Sequence, residues 1–553
     1  MTVAPRVLRD PRNSISASEQ RRSSRYSGNK KKDAPKESMR ALKMQRALAN
    51  VSYEKRGRVK EIIGDRDEFG QFDLLPIVQE AIPLQALAGL ADIIPTPIQR
   101  LALPALLGMQ SGIRRKSRVE TGSGGKEMQQ FLLAAETGSG KTLAYLLPVI
   151  DAIKRAEADE ARSVSNESGG EASVTTRTTR RDMYELEPPS RDEPDPSTAR
   201  PKAIILVPTS ELVEQVGHLA KSLSHTVKLR CALVSASYSG KVIRSRLFSN
   251  TGVDLVVCTP HLLNSITESE PNILSRVSHL VIDEADSLLD KSFSPITSSL
   301  LDRATPSLKQ LILCSATIPK SLDSYLHKRF QDIKRLVTPN LHAIPRRVQL
   351  SVVDIDKMPY QGNRDLTCAQ VIWDVGKEAT EYAEEREKKI VVFVNEREKT
   401  LELAEYLRKK GIDAFALSRD SDDRKQSDIL SLFTNAAAGQ KLLFTTENTA
   451  MSPGELMEIT STRTAPFDRS DRSLRNTKVL VTTDIASRGI DTLPAKHVIL
   501  YDVPHTSIDF IHRLGRVGRM NRRGRGIVLV GRHDRKDIVR EIREGMFKGQ
   551  ALI

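Results

Sequence analysis

Long apolar runs are missing from this chain. Nowhere in its 553 residues does an uninterrupted hydrophobic stretch approach the roughly 20 residues that a membrane crossing needs, which argues against a transmembrane role. Cysteine is scarce as well. The four present (Cys231, Cys258, Cys314 and Cys368) are widely separated and never spaced CxxC, which argues against a structural zinc site and a disulfide framework and fits a reducing interior. Tryptophan occurs once. Acidic residues are short in one place: the first fifty residues carry thirteen Lys/Arg against four Asp/Glu, so +9 of the chain's net +15 sits there. Such an arm has three open uses. It suits polyanion binding, because Lys and Arg displace counterions condensed on phosphates. Its Arg- and Ser-rich, acid-poor composition suits an organelle import segment, and a solvated tail would look the same. We read it as a mitochondrial address, with Lys30-Lys31-Lys32 leaving a nuclear address as the alternative.

What is present is ordinary for a folded protein: 39% hydrophobic residues, a mean hydropathy of −0.35, and length enough for two or three domains. Short β-type runs alternate with helix-length gaps, first at Phe131–Ala135, Lys202–Val207, Cys231–Ser235, Asp254–Cys258, His279–Ile282 and Gln310–Cys314. A second series follows at Lys389–Val394, Ala414–Ala416, Lys441–Phe444, Val479–Val481, His497–Leu500 and Gly526–Val530. Alternation of this kind predicts βαβ units and parallel sheets, hence an α/β fold in two lobes. The expected divisions are a basic arm over 1–70, a first lobe over 71–336, a linker over 337–365 and a second lobe over 366–553. Three segments rich in Ser, Gly, Pro or mixed charge read as insertions: 111–126, 157–200 and 447–476.

Two motifs carry chemistry. The run Phe131–Ala135 leads into Glu136-Thr137-Gly138-Ser139-Gly140-Lys141-Thr142 and then a helix-like stretch. Strand, glycine loop and helix together make a phosphate cradle: Gly138 and Gly140 let backbone N–H groups turn inward, and the helix N-terminus adds partial positive charge. Lys141 is expected on the β/γ-phosphates and Thr142 on Mg²⁺, with Ala135 where the general phosphate-loop pattern has its first Gly. A near-copy at Glu120–Lys126 follows charged residues rather than a strand and is assigned no nucleotide. Further on, His279–Ile282 ends in Asp283-Glu284-Ala285-Asp286. Carboxylates at the C-terminal end of a strand lie on the edge where open α/β sheets bind ligands. Asp283 is expected to hold Mg²⁺ through water, and Glu284 to orient and deprotonate the attacking water.

Together these motifs resemble the DEAD-box family of RNA helicases, and further family motifs follow in order. The resemblance spans about Phe72 to Val530 and implies two tandem RecA-like parallel-sheet lobes with a nucleotide cleft between them. Pro95–Gln99 looks like the Q motif, so Gln99 would read adenine and Phe72 would stack on the base. Ser315-Ala316-Thr317 matches the motif linking hydrolysis to lobe closure, in which Asp286 and His512 would also take part. Thr482-Thr483-Asp484 and Arg488–Asp491 resemble motif V, with Asp491 on the ribose. His512–Arg519 matches HRxGRxGR at every fixed position, which makes Arg516 and Arg519 the arginine fingers. Pro208, Thr209, Gly240, Thr259 and Thr483 would line the RNA.

The departures fall mostly in the RNA-facing motifs. Ser210 stands where the family has Arg, His261-Leu262 replaces Gly-Arg, Ser239-Gly240 replaces a glycine doublet, and Arg424 is the nearest equivalent of a missing Gln-x-x-Arg. The resemblance therefore implies an ATP- and Mg²⁺-dependent RNA helicase, acting as a monomer through backbone contacts of little sequence specificity. The alternatives are an ATP-controlled RNA clamp and a non-enzymatic RNA scaffold. Basic leader, insertions and altered first-lobe motifs are similar to fungal mitochondrial members that act in ribosome assembly. With only Asn521–Ile553 after the last motif, no long tail is expected to direct the chain to a particular RNA.

Overall fold

The computed structural model describes residues 66–88, 93–109, 128–168, 199–249, 252–339, 341, 347–378, 387–417, 474–484, 495–518 and 523–547, with isolated positions at 59, 63, 64 and 433. The first sheet is built from β1 (Gln129–Ala134), β2 (Ala203–Leu206), β3 (Cys231–Val234), β4 (Leu255–Cys258), β5 (His279–Ile282), β6 (Gln310–Ser315) and β7 (Lys334–Val337). Its order is β3-β4-β2-β5-β6-β1-β7, and every pairing is parallel. Parallel strands need covered faces on both sides, which is why β2 (Ala-Ile-Ile-Leu) and β4 (Leu-Val-Val-Cys) are buried at every position rather than alternating. The pleat splits β1 between two cores, with Phe131 and Leu133 in one and Leu132 and Ala134 in the other.

The second sheet is formed by β8 (Val348–Asp354), β9 (Lys388–Phe393), β10 (Ile412–Leu417), β11 (Leu474–Thr482), β12 (His497–Leu500) and β13 (Gly524–Val530). It is also wholly parallel, in the order β10-β11-β9-β12-β13-β8. It too has a core on each face, one around Phe393, Phe510 and Val528, the other around Ile390, Leu403 and Ile499.

Helices begin where capping chemistry allows. Thr209 accepts a bond from Leu212 N at 3.4 Å and opens the helix Ser210–Val227, which ends on Lys228 in the left-handed region. Pro97 occupies the first turn of Pro97–Leu106, where its missing N–H costs nothing.

Four boundaries differ from the sequence reading. The first lobe starts earlier than residue 71, because Phe69 already packs into its core. The helix that starts at Lys141 runs to Ser168, into the stretch read as insertion 157–200. The second sheet begins at Val348, inside the stretch read as linker 337–365. Strand β11 begins at Leu474, within the insertion read as 447–476. The strands β7 and β8 went unseen because Lys-Arg-Leu-Val and Val348–Asp354, exposed or half-exposed at every position but Val348, give no continuous apolar run. The expected strand Lys441–Phe444 lies outside the described residues, as do the insertion 111–126 and the basic arm up to residue 58.

Candidate nucleotide and RNA site

Sheet order decides what meets. β5, β6 and β1 are neighbours, so the loops leaving their C-terminal ends bring Asp283, Ser315 and Lys141 to one edge. The glycine loop after β1 turns on Gly138 and Gly140, with φ of 74° and 85°, values that side chains resist. Gly140 is also closely packed: a Cβ there would lie 2.7 Å from Gln99 Nε2. Lys141 is buried, and its ammonium donates to the carbonyls of Ala135 (2.8 Å) and Glu136 (3.0 Å) in its own loop. Ser139 Oγ is buried with no hydrogen-bond partner. A loop with left-handed glycines, a cation held on weak acceptors and an orphaned hydroxyl fits an incoming polyphosphate.

Gln99 is 3% exposed and braces this loop, donating from Nε2 to Gly140 O at 3.1 Å while Oε1 accepts from Thr96 N at 2.8 Å. Its amide keeps a second hydrogen and a second lone pair for a base. Phe72, expected to stack on that base, is 2% exposed and packs edge-on against Phe69 with centroids 6.2 Å apart. The Arg66 guanidinium lies 5.9 Å from its ring centroid.

At the end of β5, Asp283 is buried, and Glu284 adopts φ 51°, ψ 50°. Both carboxylate oxygens of Asp283 are held: Tyr145 Oη donates to Oδ2 at 3.0 Å and Glu284 N to Oδ1 at 2.9 Å. Burial, and then the neighbouring Glu284 charge, push the Asp283 carboxyl up to about 6, while Lys141 and the Tyr145 bond pull it down. A buried acid with a second carboxylate beside it and the half-buried Thr142 one helical turn from Tyr145 is a donor set that suits a hard divalent cation. Sequence reasoning missed Tyr145. Its place four residues after Lys141 puts it on the same helical face, but its bond to Asp283 joins segments 138 residues apart.

The residues expected to couple the lobes come together across the cleft. Ser315 Oγ donates to Thr317 O at 2.6 Å, and Thr317 Oγ1 donates to Asp286 Oδ2 at 2.7 Å. The same Asp286 oxygen lies 3.5 Å from His512 Nε2 in the second lobe, an ion pair when that imidazole is protonated. Thr137 of the glycine loop donates from Oγ1 to Gly515 O at 3.1 Å. Next to Thr137, Glu136 accepts from Thr338 Oγ1 at 3.1 Å, which ties the loop to the first residue after β7.

In the second lobe Arg516 is 5% exposed. Arg513, 1% exposed, gathers three strand ends: it donates to both Asp484 oxygens (2.6 and 2.5 Å), to Asn395 Oδ1 at 2.7 Å and to Asp502 O at 3.1 Å. The expected site residues Arg519 and Asp491, and the tentative Arg424, lie outside the described residues.

The expected RNA-lining residues occupy the other half of the first sheet's edge. Pro208 and Thr209 follow β2, Thr259 follows β4 and caps the helix Pro260–Ser269, and Gly240 starts the helix after β3 with open space where a Cβ would be. Thr483 follows β11 in the second lobe and is buried. Where the family pattern has an arginine, Ser210 begins a helix; the exposed His261, in place of the pattern's glycine, stands edge-on to Phe293 at 5.3 Å.

Comparison with known proteins agrees with this geometry. The DEAD/DEAH box helicase family model matches residues 96–325, and the helicase conserved C-terminal domain model matches 461–521. Among curated relatives, the Sclerotinia sclerotiorum protein named "ATP-dependent RNA helicase mrh4, mitochondrial" is 55% identical, over 97% of this chain and 86% of its own length. The Aspergillus oryzae protein of the same name is 54% identical, over 96% and 86%. Among solved structures, Mss116p bound to single-stranded RNA and AMP-PNP superimposes with a TM-score of 0.57 at 16% identity, covering 87% of this chain and 79% of that one. Dbp5 of S. cerevisiae bound to RNA and ADP BeF3 gives 0.53 at 18% identity, covering 88% and 94%. With both lobes, the paired motifs and these relatives in agreement, this chain belongs to the DEAD-box family of ATP-dependent RNA helicases.

Proposed function

We propose that the chain binds ATP and RNA across its cleft, clamps the RNA backbone as the lobes close, and hydrolyses ATP to release it, separating or remodelling short paired segments. The observation that carries this reading is the meeting of the two lobes at hydrolysis residues: Asp286 with His512 at 3.5 Å, and Thr137 with Gly515 at 3.1 Å. Neither lobe owns both halves, so hydrolysis depends on closure, and closure is what RNA promotes.

In this mechanism Gly138, Gly140 and Lys141 receive the phosphates, and Gln99 reads the base. Thr142 and Asp283 would hold Mg²⁺, which would supply positive charge against the charge developing on the phosphates. Glu284 takes the proton from the attacking water. Arg516 and Arg519 stabilise charge on the transferred phosphoryl group once the second lobe arrives. Pro208, Thr209, Gly240, Thr259 and Thr483 contact RNA phosphates and sugars, and Asp491 the ribose of the nucleotide. The RNA and nucleotide named for Mss116p and Dbp5 support both ligands.

We place the chain in the mitochondrion, in keeping with the names of its curated relatives and its basic leader. We propose assembly of the large ribosomal subunit as its task on the resemblance to fungal mitochondrial members alone. The replacement of first-lobe arginines by Ser210 and Leu262 favours a second reading, a clamp that holds RNA for assembly more than it unwinds.

The test is ATP hydrolysis with and without RNA, for wild type and Lys141→Ala. Stimulation by RNA that the variant loses supports the motor. RNA binding without hydrolysis in either protein would overturn it in favour of a scaffold.

A further inference from the structure

Gly515 has no conformational reason to be glycine. Its φ of −66° and ψ of −3° suit any residue, and its N–H continues the preceding helix by donating to Ile511 O at 2.8 Å. Its tightest constraint lies in the other lobe. A Cβ on Gly515 would stand 2.2 Å from Thr137 Oγ1, against 2.9 Å from Ile511 O in its own helix and 3.4 Å from Thr137 Cβ. Relief would require turning Thr137 away, which breaks its 3.1 Å bond to the Gly515 carbonyl, or parting the lobes. The two residues are 378 apart in sequence and belong to separate lobes, so the contact exists only when the lobes meet. The peptide thus gripped is the one from which the buried Arg516 side chain departs.

We infer that Thr137 is a positioning residue for Arg516: by donating to the Gly515 carbonyl, its hydroxyl fixes the 515–516 peptide and so aims the guanidinium at the transferred phosphoryl group. The glycine loop then has two tasks. Its backbone and Lys141 hold phosphate, while the Thr137 side chain reads whether the second lobe has arrived. This inference rests on the proposed role of Arg516 in hydrolysis.

The experiment uses the full chain and separates binding from turnover. A fluorescent ATP analogue gives Kd without RNA, and RNA-stimulated hydrolysis gives kcat and KM. Thr137→Val, which keeps shape and loses the hydroxyl, is expected to lower the stimulated kcat about tenfold, the worth of one hydrogen bond made only in the closed state. The fall in kcat should exceed any change in its Kd without RNA, since the bond to the second lobe is absent there. Thr137→Ser, which keeps the hydroxyl, should restore kcat. Gly515→Ala should lower kcat at least as far, and adding Thr137→Ala should recover part of the loss by removing the clashing oxygen.

Two results would overturn the inference: a Thr137→Val protein that loses nucleotide affinity yet keeps its kcat, or a Gly515→Ala defect that Thr137→Ala leaves untouched. Arg516→Ala serves as the reference. If that variant hydrolyses ATP like wild type, the role of Arg516 falls and this inference with it; if it is dead while Thr137→Val is normal, only the inference falls.

Discussion

Asp283 carries two opposing demands, since burial favours its neutral form while a metal needs its charge. With the folded-state value pushed up to about 6 from an ordinary 3.8, the folded protein binds this proton more tightly than the unfolded chain does. The stability this contributes is complete below 3.8 and is lost as pH rises through about 6, so the ionised carboxylate works against the fold at neutral pH. A bound cation offsets that cost. The acid limb of the ATPase pH profile should therefore lie near pH 6 at low Mg²⁺ and move to lower pH as Mg²⁺ is raised. Tyr145→Phe removes a bond that favours the carboxylate and should move the limb upward; a limb indifferent to both changes would sink the assignment. Glu284→Gln tests the neighbouring residue. It should lower kcat by roughly 100-fold or more while nucleotide and RNA affinities persist, as measured by single-turnover hydrolysis and filter binding.

Among the elements, the central strands were legible because they are buried on both faces and read as unbroken apolar runs. The predicted His279–Ile282 and His497–Leu500 coincide with β5 and β12. Edge strands β7 and β8 were not legible, since half-exposed strands carry charge and alternate. At the site, the glycine loop and the Asp283-Glu284 pair could be read locally, because each is a strand end with its chemistry attached. Tyr145 on Asp283 and Thr137 on Gly515 could not, because neither bond exists until distant segments pack. Arg513 sits between these cases: it falls within a recognisable motif, yet its part as the tie between the ends of β9, β11 and β12 emerges only from strand order. Arg513→Met would remove both guanidinium bonds to the Asp484 carboxylate and cut that tie, at a cost of about 3 kcal/mol given that Asp484 is partly solvated. Urea unfolding of the purified protein should show the second lobe's transition moved to lower denaturant. In the first lobe, the helix Ser210–Val227 approaches β3 so closely that a Cβ on Gly217 would lie 2.2 Å from a Leu233 methyl. Gly217→Val should destabilise that lobe by about 1–3 kcal/mol through overpacking, visible as a separate loss in the same experiment.

For the whole molecule, the proposed first-lobe RNA edge lacks two of the family pattern's arginines, at Ser210 and Leu262. Adding Ser210→Arg should raise affinity for single-stranded RNA and steepen the slope of log K against log salt by about 0.7, the value of one added phosphate contact. Fluorescence anisotropy across a salt series measures it, and an unchanged slope would place Ser210 away from the RNA. The glycine loop also has a consequence at this scale. Lys141 donates to the carbonyls of Ala135 and Glu136, so the loop supplies an internal rival to nucleotide phosphates. On that account nucleotide exchange should be fast until a second ligand holds the lobes together. Residence time on ATP should then lengthen when RNA is added, and stopped-flow release of a fluorescent ATP analogue measures it.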